Sequence, residues 1–186
     1  MSEDAMERIR EQWGRWGCFA TLGLVGLVLL FGIWRVKRDN SPRVGADVRS
    51  VAFLDAEGGR HTLVEYAGKV VVVDVWATWC PPCRASLPEV AKLQAEADSR
   101  YAVLPISVDD GGFTDVNAYL SGHPMPLKAF VPENRGSLEP FGPISGIPTT
   151  IIVDEKGKLR TRWSGYAQGR AESELKTALS SRAVRR

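Results

Sequence analysis

The chain has 186 residues, a formal net charge of +2 and three cysteines. This length allows one domain of ordinary size with a short extension. Apolar residues make up 44% and charged residues 25%, which is typical of a protein that folds around a core. The charge is too close to neutral to favour nucleic-acid binding, and three cysteines are too few for a disulfide framework. Composition therefore argues against both of these classes.

An uncharged stretch rich in Leu, Val, Phe and Gly runs from Gly17 to Trp34. As a helix it would be about 27 Å long, close to the roughly 30 Å hydrocarbon core of a bilayer. A cleaved signal peptide and a buried core helix are the alternatives, but the stretch is long, is followed by basic residues and has no polar face. We predict a transmembrane anchor at residues 17–34, after a short segment at 1–16 and before a linker at 35–47.

The basic residues around this stretch do not decide its orientation. Those before it and after it are Arg8, Arg10, Arg15, Arg35, Lys37, Arg38 and Arg43. The numbers of basic residues on the two sides are nearly equal and slightly disfavour export of the C-terminal domain. The positive-inside rule weakens, however, when a long folded domain follows the helix. Charge alone leaves the side of the membrane open.

Strands and helices are predicted to alternate through a domain at residues 48–181, ahead of a basic tail at 182–186. A turn at Glu57-Gly58-Gly59 predicts a hairpin at the start of this domain. Strands are predicted at residues 51–54, 61–64, 70–76, 101–108, 128–131 and 159–163, with a further strand after the loop at 146–148. Helices are predicted at residues 84–98, 113–120 and 171–181, with a helical turn at 136–141. The alternation predicts an α/β fold, and the closing hairpin makes its sheet mixed.

Cys80 and Cys83 are the strongest functional signal, because they lie two residues apart where a predicted strand leads into a predicted helix. This spacing lets both sulfurs lie in the first helical turn and form a reversible disulfide. A helix N-terminus favours the thiolate, which is the nucleophile of disulfide exchange. We therefore expect Cys80 to attack first and Cys83, one turn deeper, to act second. Pro81 and Pro82 suit the first turn and stiffen it, and we predict no cofactor beyond this redox-active disulfide.

Half of a zinc site is the alternative interpretation of the two cysteines. Tetrahedral zinc needs four ligands, commonly including a second Cys or His pair. The two histidines, His61 and His123, are far apart in the sequence and unpaired. We therefore predict no metal site.

Asp74 lies in the middle of the predicted strand at 70–76, between Val73 and Val75. A surface position on an edge strand is the alternative, but the apolar neighbours favour burial. Burial would raise the pKa of the Asp74 carboxyl group. Such a carboxylate near Cys83 can take the proton of that thiol.

Several segments of this domain resemble thioredoxin-fold proteins. Residues 73–84, Val-Asp-Val-Trp-Ala-Thr-Trp-Cys-Pro-Pro-Cys-Arg, are similar to their active-site stretch, and residues 146–150, Gly-Ile-Pro-Thr-Thr, resemble their cis-proline loop. Residues 153–158 and 163–165 look like their closing hairpin. The predicted strand and helix between about residues 102 and 146 resemble the insertion of the TlpA/ResA-like branch.

This resemblance, which covers about residues 44–179, implies a membrane-anchored thiol–disulfide oxidoreductase that faces outside the cytoplasm. It implies that Pro148 is cis and packs against the two cysteines. It also implies that an extended substrate segment binds along Ile147, Pro148 and Thr149 by strand-like pairing, and that Trp79 supports the active site.

The resemblance bears on the acidic residues as well. Asp74 matches the buried acid of thioredoxins, although many members of the TlpA/ResA-like branch have Asn there. Some members use an acidic residue in the inserted segment, and Asp109 and Asp110 are candidates because ligand sites lie at the carboxyl ends of strands. A solvated Asp-Gly turn is the alternative for these two residues.

The function expected from the resemblance is reduction of disulfides in exported partner proteins by a single-pass protein of the cell membrane. Apocytochrome c cysteines or copper-site thiols of respiratory oxidase assembly are the suggested targets, and a membrane thiol–disulfide donor would reduce the cysteine pair again. A thiol oxidase or isomerase is the first alternative, and the reduction potential separates it from a reductase. A peroxiredoxin-like peroxidase and a non-catalytic copper- or protein-binding module are the others.

Overall fold

The structure is a computed structural model that describes residues 44–183. The predicted anchor at 17–34, the segment at 1–16 and most of the predicted linker lie outside the described residues. Within residues 44–183, no helix is long and apolar enough to cross a membrane.

The central sheet has four strands in the order β4-β3-β6-β7. Strand β3 (Val70–Trp76) pairs in parallel with β4 (Tyr101–Ser107) and antiparallel with β6 (Thr149–Val153), which pairs antiparallel with β7 (Leu159–Ser164). Every residue of β3 is buried, as expected for an apolar run with both faces covered. The predicted mixed sheet is confirmed, and β3 lies at its centre.

A smaller sheet of three strands continues from the outer edge of β4. Its order is β2 (Arg60–Thr62), β1 (Ala52–Leu54) and β5 (Val131–Pro132). The backbone of Phe130, just before β5, joins the two sheets. Its carbonyl accepts from Ser107 N at 2.7 Å, and its N–H donates to Pro105 O at 2.8 Å. The predicted hairpin is therefore part of a layer that extends the central sheet.

Two of the predicted strands differ from the structure by more than one residue at an end. The hairpin strand predicted at 61–64 ends at Thr62, because Leu63–Tyr66 forms a 3-10 turn in which Glu65 Oε1 accepts from Thr62 N at 2.7 Å. The strand predicted at 128–131 is displaced to β5, because Phe130 makes its bridge to β4 before the chain reaches β1.

In the part of the chain that the structure describes, three α-helices flank the central sheet: α1 (Pro81–Ala95), α2 (Phe113–Gly122) and α3 (Arg170–Ala183). Side chains of β3 alternate between two cores. Val72 and Trp76 pack with α1 and α3 side chains, whereas Val73 and Val75 pack with the hairpin layer. Because side chains alternate along a strand, Asp74 shares the face of Val72 and Trp76, which is the face that α1 covers.

Candidate active site

The cysteine pair lies at the N-terminus of α1, directly after the central strand. Cys80 is the N-cap residue of the helix, and Pro81 and Pro82 form its first positions. Helix α1 therefore begins three residues earlier than predicted, because proline needs no hydrogen-bond acceptor in a first turn. Cys80 and Cys83 are joined as a disulfide.

The backbone around Cys80 is arranged to stabilise negative charge on its sulfur. The N–H of Cys83 donates to Cys80 Sγ at 3.2 Å. The dipole of α1 acts in the same direction at this end of the helix, where Pro81 and Pro82 have no N–H group. In the reduced state these groups favour the Cys80 thiolate over the thiol.

The two cysteines differ in their access to solvent. Cys80 is 4% exposed and Cys83 is completely buried. The neighbours of Cys80 reach the surface, since Trp79 is 66% exposed and both Pro81 and Pro82 are exposed. The exposed surface around Cys80 is where a partner could approach, and the order in which the two cysteines react stays a prediction.

The predicted cis-proline loop lies against the cysteine pair. The Ile147–Pro148 peptide bond is cis, as the resemblance implies, and Ile147 O lies 3.7 Å from Cys80 Sγ. The Thr149 side chain is completely buried, and its hydroxyl donates to Gly146 O at 2.5 Å. The Thr149 side chain therefore holds the loop, and Thr149 itself begins β6 between β3 and β7.

Asp74 is buried beneath this site. It is 1% exposed, and its Oδ1 accepts from Thr150 Oγ1 at 3.1 Å. Its Oδ2 has no hydrogen-bond partner among the described residues. Burial, and to a lesser extent the charge of Glu89, raise the pKa of Asp74 to about 7 against the opposing hydrogen bond from Thr150. The burial predicted for Asp74 is confirmed, and the edge-strand alternative is wrong; its proton-transfer role stays a prediction.

Glu89 on α1 is a residue that the sequence reasoning missed. It lines one pocket together with Asp74 and Pro148. Helical spacing was the available signal, since Glu89 follows Ser86 by one turn and Ser86 follows Cys83 by one turn. Only the position of β3 beneath α1 shows that this helix face meets Asp74.

The two acidic candidates of the inserted segment occupy different environments. Asp109 is 8% exposed; its carboxylate accepts from Thr78 N at 3.0 Å, from Thr78 Oγ1 at 2.7 Å and from Ser107 Oγ at 2.6 Å. Asp110 has a 99% exposed side chain, 3.6 Å from Arg135. The solvated-turn interpretation therefore fits Asp110 but not Asp109, which holds the loop that carries the cysteines.

The two histidines lie apart from each other. His61 contacts Asp55 and Glu65, each at 2.8 Å, in the hairpin layer, and His123 stacks on Tyr119 at the end of α2. Within residues 44–183, no group of three or more His, Cys, Asp or Glu side chains is placed to hold a metal ion.

A disulfide at the start of the helix that follows the central strand, with a cis-proline loop against it, defines a thioredoxin-fold protein with a redox-active cysteine pair. Residues 43–179 match the family model described as Redoxin. The chain belongs to the Redoxin family.

Named relatives agree with this chemistry. The thiol-disulfide oxidoreductase ResA of Geobacillus thermodenitrificans is 25% identical over 118 residues, which are 63% of this chain and 67% of the relative. The thiol:disulfide interchange protein DsbE homolog of Paracoccus denitrificans is 29% identical over 139 residues, 71% of this chain and 75% of the relative.

Solved structures share the fold. The exposed lipoprotein thioredoxin Etrx1 of Streptococcus pneumoniae superposes with a TM-score of 0.59 and 27% identity, over 70% of this chain and 97% of that one. Family, relatives and fold together identify the protein as a thiol–disulfide oxidoreductase.

Proposed function

We propose that the protein reduces disulfides in exported partner proteins while residues 17–34 anchor it in the cell membrane, with the C-terminal domain outside the cytoplasm. The disulfide between Cys80 and Cys83, placed at a helix N-terminus against the cis-proline loop, carries this proposal. The named relatives support the chemistry, and the similarity to Etrx1, an exposed lipoprotein, supports the position outside the cytoplasm.

The reaction starts from the reduced pair. The Cys80 thiolate attacks one sulfur of the partner disulfide, so that a bond forms between Cys80 and the partner while the other partner sulfur leaves as a thiolate and takes a proton from water. Cys83 then gives its proton to Asp74, and its thiolate attacks Cys80 Sγ. The bond to the partner breaks, and the second partner thiolate leaves and is protonated. Two electrons have passed from the protein to the partner.

A membrane donor of the thiol–disulfide type completes the cycle by reducing the bond between Cys80 and Cys83. Cysteines of apocytochrome c or of an oxidase copper site are the proposed targets, on the strength of the resemblance to the TlpA/ResA-like branch. Partner binding uses the exposed Trp79 and the backbone beside Pro148, where an extended segment can pair as an added strand.

The main test is a trap for the mixed disulfide. In a Cys83→Ala variant, Cys80 attacks the partner but no second thiol releases it. Non-reducing gels of cells that express this variant should show adducts that reducing agent removes, and a Cys80→Ser/Cys83→Ala control should show none. Absence of adducts through Cys80 would contradict the proposal.

The reduction potential tests the direction of electron flow. A pair more reducing than its compartment removes disulfides, and a more oxidising pair donates them. We expect equilibration with glutathione buffers to place the Cys80–Cys83 pair on the reducing side of its compartment. A pair on the oxidising side would instead favour the thiol oxidase.

A further inference from the structure

Two residues that each have a buried carboxylate oxygen without a described partner line the same pocket behind the active site. Asp74 Oδ2 and Glu89 Oε1 are both buried, and neither has a hydrogen-bond partner among the described residues. Both residues line the pocket, together with Pro148, Trp163 and Tyr166. Buried polar atoms are normally satisfied, so a pocket with two such oxygens is a place where a proton or a water molecule can bind.

The other oxygen of Glu89 fixes the orientation of its carboxylate. Glu89 Oε2 accepts from Gly169 N at 3.1 Å and from Tyr166 Oη at 3.3 Å. Tyr166 is 38% exposed, whereas Asp74 is enclosed. Glu89 therefore connects the pocket that it shares with Asp74 to the partly exposed Tyr166.

Among the described residues, no positively charged side chain acts on the Asp74 carboxyl group, whose pKa responds to burial, Thr150 and Glu89. Its strand neighbours are Pro105 on β4 and Thr150 on β6, which do not titrate. Tyr166, a titratable residue that lines the same pocket, bonds to Glu89. The basic residue at the start of α3, Arg170, lies over the Trp163 ring at 4.6 Å.

These contacts suggest a path for the proton that Cys83 loses during the proposed reductive cycle. We propose that Glu89 is a positioning residue for Asp74: the two carboxyl groups share one proton across the pocket, directly or through one water molecule, and Glu89 passes it to solvent beside Tyr166. The proton thus moves from the Cys83 thiol to Asp74, then to Glu89, then to bulk water. The use of this path in turnover rests on the proposed function, but the coupling between the two acids does not.

The coupling can be measured in the oxidised full-length protein, where no disulfide exchange occurs. Aspartate labelled with ¹³C at the carboxyl carbon gives the titration midpoint of Asp74, whose signal is assigned by its loss in Asp74→Asn. Glu89→Gln keeps the shape and an acceptor oxygen but removes the charge. We expect the midpoint to fall by about half a pH unit, and Glu96→Gln at the exposed end of α1 to leave it unchanged.

An unchanged or raised midpoint in Glu89→Gln would overturn the proposal. Tyr166→Phe removes one hydrogen bond to Glu89 but keeps the charge, so a fall as large as that of Glu89→Gln would assign the effect to packing and also overturn it. The last readout is the pH dependence of mixed-disulfide resolution, whose acid limb should move by the same half unit. If the titration midpoint of Asp74 falls but the acid limb of mixed-disulfide resolution does not move, the proton path is contradicted. If the partner trap fails, the carboxyl titration can still be interpreted.

Discussion

At the scale of single residues, the site depends on charges held where water is scarce. The Cys80 sulfur accepts the N–H of Cys83 at the end of a helix, which favours its charged form. Asp74 has the opposite environment, since one threonine hydroxyl donates to it and its other oxygen has no described partner. The environment of Cys80 thus favours loss of its thiol proton, and the environment of Asp74 favours uptake of a proton by its carboxylate.

The pKa of Asp74 predicts a pH-dependent cost to stability. Its value is 3.8 in an unfolded chain and about 7 when folded, so the native state binds the proton more tightly. Stability contributed by this group is therefore present at low pH and is lost as the pH rises from about 4 to about 7. We expect Asp74→Asn to stabilise the oxidised protein by up to about 4 kcal/mol at pH 8 and by little at pH 4.

Urea unfolding followed by tryptophan fluorescence at the two pH values checks this expectation. Asp110→Asn is the matched control, because the Asp110 side chain is 99% exposed and its replacement should change stability by less than about 0.5 kcal/mol at either pH. A variant of Asp74 that is no more stable than the parent at pH 8 would be inconsistent with a buried, unbalanced carboxyl group.

At the scale of elements, the active-site loop is tied to the sheet by Asp109. Strands β3 and β4 are parallel and adjacent, so their carboxyl ends meet at one edge. Thr78 follows β3 and Asp109 follows β4, and the carboxylate accepts from the backbone and side chain of Thr78 as well as from Ser107. This link sets the position from which α1 and its cysteines start.

Removing the Asp109 carboxylate should make the N-terminus of α1, which carries the cysteines, less firmly held. Asp109→Ala leaves the donors of Thr78 and Ser107 without their acceptor, so we expect a loss of about 2–3 kcal/mol in the free energy of unfolding and slower attack by Cys80. Asp110→Ala, one residue along, should leave stability within about 0.5 kcal/mol of the parent. Denaturant unfolding and the rate of reduction of a model disulfide measure the two effects. Equal behaviour of the two variants would exclude the proposed anchoring role.

At the scale of the whole molecule, the described residues form the redox domain, and the stretch before them contains the proposed anchor. The family match spans residues 43–179, and the uncharged stretch at 17–34 precedes it. Within the described residues the cysteines, the cis-proline loop and the buried acid all belong to one sheet and its covering helix. The domain therefore contains the chemistry, and the N-terminal stretch would set where that chemistry takes place.

We expect the full chain to sediment with membranes and to need detergent for extraction, because an uncharged helix of this length is stable in a bilayer. A chain that starts at residue 44 should remain in the supernatant. In intact cells, a thiol reagent that cannot cross the membrane should label the reduced Cys80 if the domain faces outward. A full chain found in the soluble fraction, or labelling only after lysis, would contradict the anchor or its orientation respectively.

Local pattern in the sequence is enough to predict much of this protein. The apolar run of β3 and the Cys-Pro-Pro-Cys turn follow from periodicity, spacing and backbone chemistry within a few residues, and the mixed sheet follows from the order of the predicted elements. The cis-proline loop is implied by the resemblance of residues 146–150 to thioredoxin-fold proteins. The burial of Asp74 is predictable for the same reason, since its neighbours along the strand are apolar.

Other features depend on contacts between segments far apart in the chain. The bond from Thr78 to Asp109 crosses 31 positions, and that from Gly169 to Glu89 crosses 80. Such contacts depend on which strands become neighbours and which helix face covers them, and no local periodicity encodes either. The sequence could therefore place the cysteines, whereas the roles of Asp109 and Glu89 emerge only when β4 lies beside β3 and α1 packs over Asp74.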